Sequence, residues 1–311
     1  MSIKTKKSIA VLIPCYNEEV AIASVVKDFR KELPEAKIYV YDNNSKDQTA
    51  ANALKAGAIV RKESRQGKGY VVRRMFANIE ADIYIMIDGD NTYDSSSVHK
   101  LIAKLQDENL DMVVGTRKFV EDEAYRAGHK LGNWLFTTCI KMIFGRSFTD
   151  ILSGYRAFSR RFVKSFPCTS GGFEIESELT VHSLDLELPV GEVETHYFAR
   201  PEGSQSKLST YKDGYKISRM ILTMIKEFKP FIFFGSWFAL FAIAAIGFAT
   251  PLVFTYLETG LVPRMPTAIL STGLMLLAFL CLFSGIILDS LNRGRKEIKR
   301  LKYLDYPINN D

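Results

Sequence analysis

Cysteine, tryptophan and histidine are scarce in this 311-residue chain, with four, two and four copies. Cys15, Cys139, Cys168 and Cys281 share no paired spacing. That excludes a disulfide framework and a cysteine-based zinc site, and it fits a reducing compartment. The opening MSIKTKKSIAVLIP carries an apolar run of only strand length and no small-residue cleavage site, so no secretory leader is expected. No internal repeat of solenoid length is present. A strong charge of one sign is also missing: 41 Lys and Arg against 35 Asp and Glu leave +6. The surplus is local, in Arg293, Arg295, Lys296, Lys299, Arg300 and Lys302, and no nucleic-acid partner is expected from it.

Charge is absent altogether from two stretches, Phe231 to Leu257 and Met265 to Leu288. Each exceeds the roughly 20 residues that cross a hydrocarbon core, so two transmembrane helices are expected. The intervening loop holds only Glu258 and Arg264, whereas Lys226, Lys229 and the basic tail flank the outer ends. By the positive-inside rule both termini and the preceding domain face the cytoplasm, as a multi-pass protein of the cytoplasmic membrane. Before the first span, Ile217, Met220, Ile221, Met224, Ile225 and Phe228 alternate with Lys216, Arg219, Lys226 and Lys229, the pattern of an interfacial helix. A second apolar stretch, Trp134 to Phe144 with Lys130, Lys141 and Arg146 around it, reads either as a bilayer-surface helix or as core packing.

The first 200 or so residues alternate strand and helix. Strands are predicted at Ile9–Ile13, Ile38–Tyr41, Ile59–Arg61, Ile83–Ile87 and Met112–Thr116. Helices are predicted over Glu18–Glu32, from Gln48, over Gly69–Ile79, and over Ser95–Asn109 with Asp94 and the serines suited to an N-cap. This order predicts an α/β fold with a doubly wound, mostly parallel sheet. Pro14, Asp42 and Asp88 then emerge at one sheet edge, where ligands collect in such folds. The expected organisation is a catalytic domain over 1–208, an amphipathic helix over 209–229, a membrane hairpin over 230–290 and a basic cytoplasmic tail over 291–311.

At that edge stands Asp88-Gly89-Asp90. Two carboxylates one residue apart can share a hard cation, Mg²⁺ or Mn²⁺, that holds a diphosphate. The competing reading is that Asp-Gly is a turn signal. Asp42 likewise reads as a ligand or as a turn-forming residue ahead of Asn43, Asn44 and Ser45. Glu18 and Glu19 read as ligands or as first-turn acids favoured by the helix dipole.

The stretches VLIPCYNEE, YDNNSKDQT, RQGKG and IDGDNTYD resemble the nucleotide-sugar-binding half of inverting glycosyltransferase family two, which has the GT-A fold. Downstream, VVGTRKF, DILSGYRAFS, GGFEIESELT and YFARPEGSQSKLST, followed by the spanning pair, look like its polyprenyl-phosphate glycosyltransferases, the group of dolichyl-phosphate-mannose synthase and bactoprenol glucosyltransferase. The resemblance covers nearly the whole chain. It implies inverting transfer of a hexose or N-acetylhexosamine from a nucleotide sugar, preferably UDP-linked, to polyprenyl (undecaprenyl or dolichyl) phosphate. Processive polysaccharide synthases share the nucleotide-binding half, but neither Trp134 nor Trp237 lies in a QxxRW motif and further spans are missing. A tethered nucleotide-sugar-binding scaffold is the other alternative.

By family position, Pro14, Tyr16, Asn17, Glu18 and Asp42 meet the base and ribose, Lys68 meets the donor, and Asp88 and Asp90 hold the metal. Glu174 or Glu176 orients the sugar or a basic acceptor residue, while Arg117, Arg126, Arg200 and Lys207, with His129, bind the acceptor phosphate. Asp90, Arg117 and Arg200 carry the catalytic expectation. Many relatives read DADLQ where this chain reads DGDNT, so a third polar metal ligand falls to Thr92 or Asn91. A lipid phosphate is already anionic and needs no strong general base; cationic positioning matters more. The resemblance further implies a homo-oligomer, up to a tetramer, and a flippase and second glycosyltransferase that use the product. Removing the residues after Lys229 is expected to weaken membrane retention on fractionation; a truncated chain that sediments with membranes as completely as the intact one removes the anchor.

Overall fold

The computed structural model describes residues 7–119, 137–138, 140–145, 148–168, 175–199 and 222–307. The chain forms two compact units, one of residues 1–211 with 299–311, the other of residues 212–298.

The first unit is built on a seven-stranded sheet. Its strands are β1 (Ile9–Cys15), β2 (Lys37–Asp42), β3 (Ile59–Lys62), β4 (Ile83–Met86), β5 (Met112–Phe119), β6 (Arg156–Ser159) and β7 (Val190–Tyr197). Helices α1 (Ile22–Glu32), α2 (Thr49–Lys55), α3 (Lys68–Asn78) and α4 (Val98–Asp107) fall between the early strands, and α5 (Arg160–Ser165) and α6 (Ile175–Asp185) between β6 and β7. In space the strands run β3-β2-β1-β4-β6-β5-β7. β1, β2 and β4 are continuous apolar runs because helices cover both faces of a parallel sheet. Val11, Leu12, Ile13, Ile85 and Met86 are fully buried. α1 closes one face with Ile22, Val25, Val26 and Phe29, spaced as a single helical stripe. Asp94 accepts from the Ser96 amide at 3.0 Å and opens a 3₁₀ turn, Ser95–Ser97, ahead of α4.

Chain order reverses at β1, which pairs in parallel with β2 on one side and β4 on the other. Cys15 lies opposite Asp42, and Leu12 opposite Met86, so Asp42 and Asp88 leave the same edge on either side of β1. The sheet departs from simple alternation at β6, an antiparallel strand inserted between β4 and β5. Its sequence, Arg-Ala-Phe-Ser, opens with an arginine that a buried strand does not ordinarily tolerate. Arg156 is nonetheless fully buried. Its guanidinium donates to the carbonyls of Ser153 and Ile151 at 2.9 and 2.5 Å and to the Thr180 hydroxyl at 2.9 Å.

In the second unit lie α7 (Pro230–Thr259) and the greater part of α8 (Met265–Leu304). Both are long and apolar enough to cross a membrane, with best-window mean hydropathies of 2.2 and 2.3. Only 6% and 11% of those windows are buried, unlike the core helix of a soluble domain. Within this unit the Phe238 and Phe279 rings of the two helices lie 6.0 Å apart.

The boundary expected at residue 291 falls inside α8, and residues from Lys299 onward belong to the first unit. Tyr303 donates its phenol proton to Asp111 Oδ2 at 2.6 Å. Arg161 pairs with the same oxygen at 2.9 Å and lays its guanidinium 4.2 Å over the Tyr303 ring. Ser159 Oγ donates to Asp111 Oδ1 at 2.7 Å, and Lys299 pairs with Asp185 at 3.3 Å. A hydrogen bond to a buried charge contributes on the order of 2 kcal/mol. Tyr303→Phe is therefore expected to destabilise the sheet domain by about that amount in thermal unfolding of the solubilised chain; an unchanged midpoint would show that this segment adds nothing to it.

Candidate active site

The site is assembled from the loops that follow β1, β2 and β4. Asn17, directly after the β1 turn, takes a left-handed φ of 53°, which asparagine tolerates better than most residues. Its amide donates to Ser45 Oγ and its Oδ1 accepts from the Lys46 amide, each at 2.9 Å. The Glu18 amide donates to Thr49 Oγ1 at 2.8 Å, so the loops after β1 and β2 are sewn together. Asp42 is buried and accepts from the Ser45 amide at 3.2 Å. The turn-forming reading of Asp42 is thus realised in the same carboxylate proposed to meet the nucleoside.

Asn43 had no role in the sequence reading beyond that turn, yet it shapes the neighbouring loop. Buried beside Asp42, it donates to the Glu63 and Arg65 carbonyls at 3.0 and 2.7 Å and accepts from the Gly67 amide at 2.7 Å. These bonds present Lys68, the first residue of α3, to the site. Lys68 Nζ bridges Asp88 Oδ1 and Glu176 Oε1. Burial acts against the ammonium, but the two carboxylates outweigh it and hold the amine well above the ordinary lysine range.

Asp88 and Asp90 follow β4. Asp90 is 4% exposed and accepts from the Thr92 hydroxyl at 2.7 Å and the Thr92 amide at 3.3 Å. Thr92 thus orients Asp90. Asn91 takes φ 56°, so asparagine serves the backbone of the turn. The glycine between the acids answers to packing: a Cβ at residue 89 would lie 2.6 Å from Cys15 Sγ. Glycine is demanded again at residue 154, where a Cβ would fall 2.3 Å from Asp88 Oδ2.

Arg117 leaves β5 and is gripped from two sides by Asp150, Nε to Oδ2 and Nη2 to Oδ1, both at 2.7 Å. Its guanidinium also lies 5.6 Å over the Tyr197 ring. Asp150, Gly154 and Arg156 come from one loop and strand, and the sequence reading gave none of them a role. Their local signal is weak, because an acid, a glycine and an arginine acquire meaning only through partners far along the chain. Arg156 fixes the loop's carbonyls from within, and burial pulls its own pKa down to about 10 against the opposing field of Glu176 and Asp150.

The structure therefore gathers Lys68, Asp88 and Glu176 in one charged cluster, with Asp90 two residues on. Pro14, Tyr16, Asn17, Glu18 and Asp42 lie at the ends of β1 and β2, and Arg117 is paired on β5. Arg126, His129, Glu174, Arg200 and Lys207 lie outside the described residues. Negative charge is concentrated here: burial first, then Glu18, Asp42, Asp88 and Asp90, pushes the Cys15 thiol well up. Among the described residues no three metal-binding side chains form a closed set. Two carboxylates are enough for Mg²⁺ or Mn²⁺ when substrate phosphates complete the shell, so the donor set fits such an ion.

The family model described as glycosyl transferase family 2 matches residues 10–166. Glycosyltransferase AglJ of Haloferax volcanii is 32% identical over 97% of this chain and 99% of its own. Dolichyl-phosphate hexose transferase of the same organism is 26% identical over 72% of this chain and 96% of its own. Among solved structures, glucosyl-3-phosphoglycerate synthase from Mycobacterium tuberculosis in complex with Mn²⁺, UDP-glucose and phosphoglyceric acid superposes with a TM-score of 0.55. It is 23% identical, with 71% of this chain and 79% of that one covered.

Gly89→Ala forces its methyl group against Cys15 Sγ and is expected to cost roughly 1–3 kcal/mol of stability, the usual range for overpacking. Adding Cys15→Ala removes the obstructing sulfur and should restore most of that loss. Unfolding midpoints of the two single variants and the double variant check this, and purely additive effects would refute the contact.

Proposed function

The chain belongs to glycosyl transferase family 2, and on that premise we propose that it transfers a hexose or N-acetylhexosamine from a nucleotide sugar to polyprenyl phosphate. The observation that carries the reading is a conjunction in one chain: paired acids at the carboxyl edge of the sheet, and two helices of membrane-spanning length. The dolichyl-phosphate hexose transferase supports a lipid-phosphate acceptor, and the UDP-glucose complex of the synthase supports a UDP-linked donor.

An oxygen of the lipid phosphate forms a bond to the anomeric carbon while the bond from that carbon to the diphosphate breaks. The electron pair departs on the nucleoside diphosphate, and a single displacement inverts the anomeric centre. No proton has to leave the nucleophile, so no side chain need act as a strong base. Mg²⁺ or Mn²⁺ held by Asp88 and Asp90 supplies charge neutralisation to the leaving diphosphate. The protein's own residues prepare that place: Thr92 orients Asp90, and Gly154 lets Asp88 approach the backbone. Glu18 and Asp42 lie where the nucleoside enters, Asp42 already fixed by the Ser45 amide. Arg117, aligned by Asp150 through Nε and Nη2, meets a phosphate oxygen of the acceptor. Arg126, His129, Arg200 and Lys207 complete the proposed acceptor set, and Glu174 and Glu176 the donor side.

The reaction takes place on the cytoplasmic face of the membrane, and the polyprenyl-phosphate-sugar passes to a flippase and a second transferase for cell-surface glycan modification. A homo-oligomer is the assembly proposed. The purified full chain, supplied with UDP-, GDP- and dTDP-sugars, short-chain polyprenyl phosphate and Mg²⁺ or Mn²⁺, is expected to form lipid-linked sugar with an inverted anomeric configuration. Asp90→Ala should lower that turnover by about 10²–10³-fold, the scale of losing one major electrostatic stabiliser. No lipid-linked sugar across the whole panel would overturn the acceptor assignment, and an undiminished Asp90→Ala enzyme would remove the metal.

A further inference from the structure

Lys68 presents an unusual choice of partners for a lysine in a nucleotide-binding loop. Its ammonium bridges two carboxylates from distant parts of the chain, Asp88 after β4 and Glu176 in α6. Lys68 retains 11% side-chain exposure and Glu176 8%, whereas Asp88 retains 30%. Asp88 is thus the one member of the three that a ligand can reach readily. Its Oδ2 lies over Gly154, so closely that a methyl group there would collide with it. Lys68 holds the other oxygen, Oδ1.

A divalent cation bound through Asp88 needs that same electron density and repels the ammonium beside it. We propose that Lys68 is a resident counter-ion of Asp88 which the metal displaces, and that the displaced ammonium, still tethered by Glu176, becomes a ligand for the donor diphosphate. This rests on the reading that Asp88 and Asp90 bind a divalent cation together with a nucleoside diphosphate. Metal and nucleotide then load as a coupled pair. Metal alone must strip Lys68 from Asp88 and leave the ammonium with Glu176 as its one remaining carboxylate among the described residues, whereas metal arriving with a diphosphate offers it a new anionic partner. The exchange also keeps the acid pair electrically satisfied between turnovers. Glu176 serves here as a positioning residue: it limits how far the ammonium can travel.

The consequence is a pair of effects of opposite sign. In full-length solubilised protein, the free Mn²⁺ signal in electron paramagnetic resonance reports Mn²⁺ binding, first alone and then with UDP, with GDP as the second nucleotide. Lys68→Met is expected to tighten binding of Mn²⁺ alone by about tenfold, within the usual range of coupling between ligands. The same variant should weaken UDP binding in saturating Mn²⁺ by a similar factor. Lys68→Arg, which keeps the positive charge, should leave Mn²⁺ alone bound no more tightly than in the unmodified chain. Because Lys68→Met strands a buried carboxylate, Lys68→Met/Glu176→Gln provides a second comparison without that liability and should show the same tightening. Mn²⁺ affinity unchanged or weakened in both variants would overturn the exchange while leaving the metal site intact. A chain that binds no Mn²⁺ even with either nucleotide present would overturn the metal reading itself, and the exchange with it.

Discussion

Mutual repulsion among carboxylates crowded at the ends of adjacent strands governs the arrangement of the rest of the site. After burial, Glu18, Asp42, Asp88 and Asp90 all act to raise the Cys15 thiol. Parallel strands deliver their carboxyl ends to one edge, and the reversal of chain order at β1 brings the loops after β2 and β4 to either side of it. That topology accumulates negative charge without regard to its cost. Cations must balance it, and Lys68, between Asp88 and Glu176, is one of them.

A second organising element is the loop between residues 150 and 154. Asp150 holds Arg117, Gly154 accommodates Asp88, and Arg156 ties the intervening carbonyls together from the interior. Asp88 and Arg117 are consequently both held by a single short stretch of backbone. A buried arginine that meets carbonyls and a hydroxyl instead of a carboxylate is costly to place.

β1 and β4 at the centre of the parallel part were legible because they are short uncharged apolar runs. β6 was not, since its leading arginine argues against burial until Ser153, Ile151 and Thr180 are seen around it. The acid pair stood out by spacing alone. Glycine between the acids looked like a turn residue, and only the nearness of Cys15 shows that side-chain volume also fixes it. Lys68 was assigned to the donor from its loop, but its partners lie 20 and 108 residues away, beyond the reach of any local pattern. Asn43 escaped notice for the same reason, because its bonds run to backbone groups of a separate loop. At the second apolar stretch the helix runs past the last uncharged residue into basic sequence, as far as Leu304.

The placement of Tyr303 against Asp111 bears on how the protein is made. Residues 299–307 emerge from the ribosome after both apolar helices, yet they complete the domain whose first strand was synthesised near the outset. The sheet domain therefore lacks one partner of Asp111 and Arg161 until those last residues have been made. Completion of the sheet domain thus follows synthesis of the two apolar helices rather than preceding it.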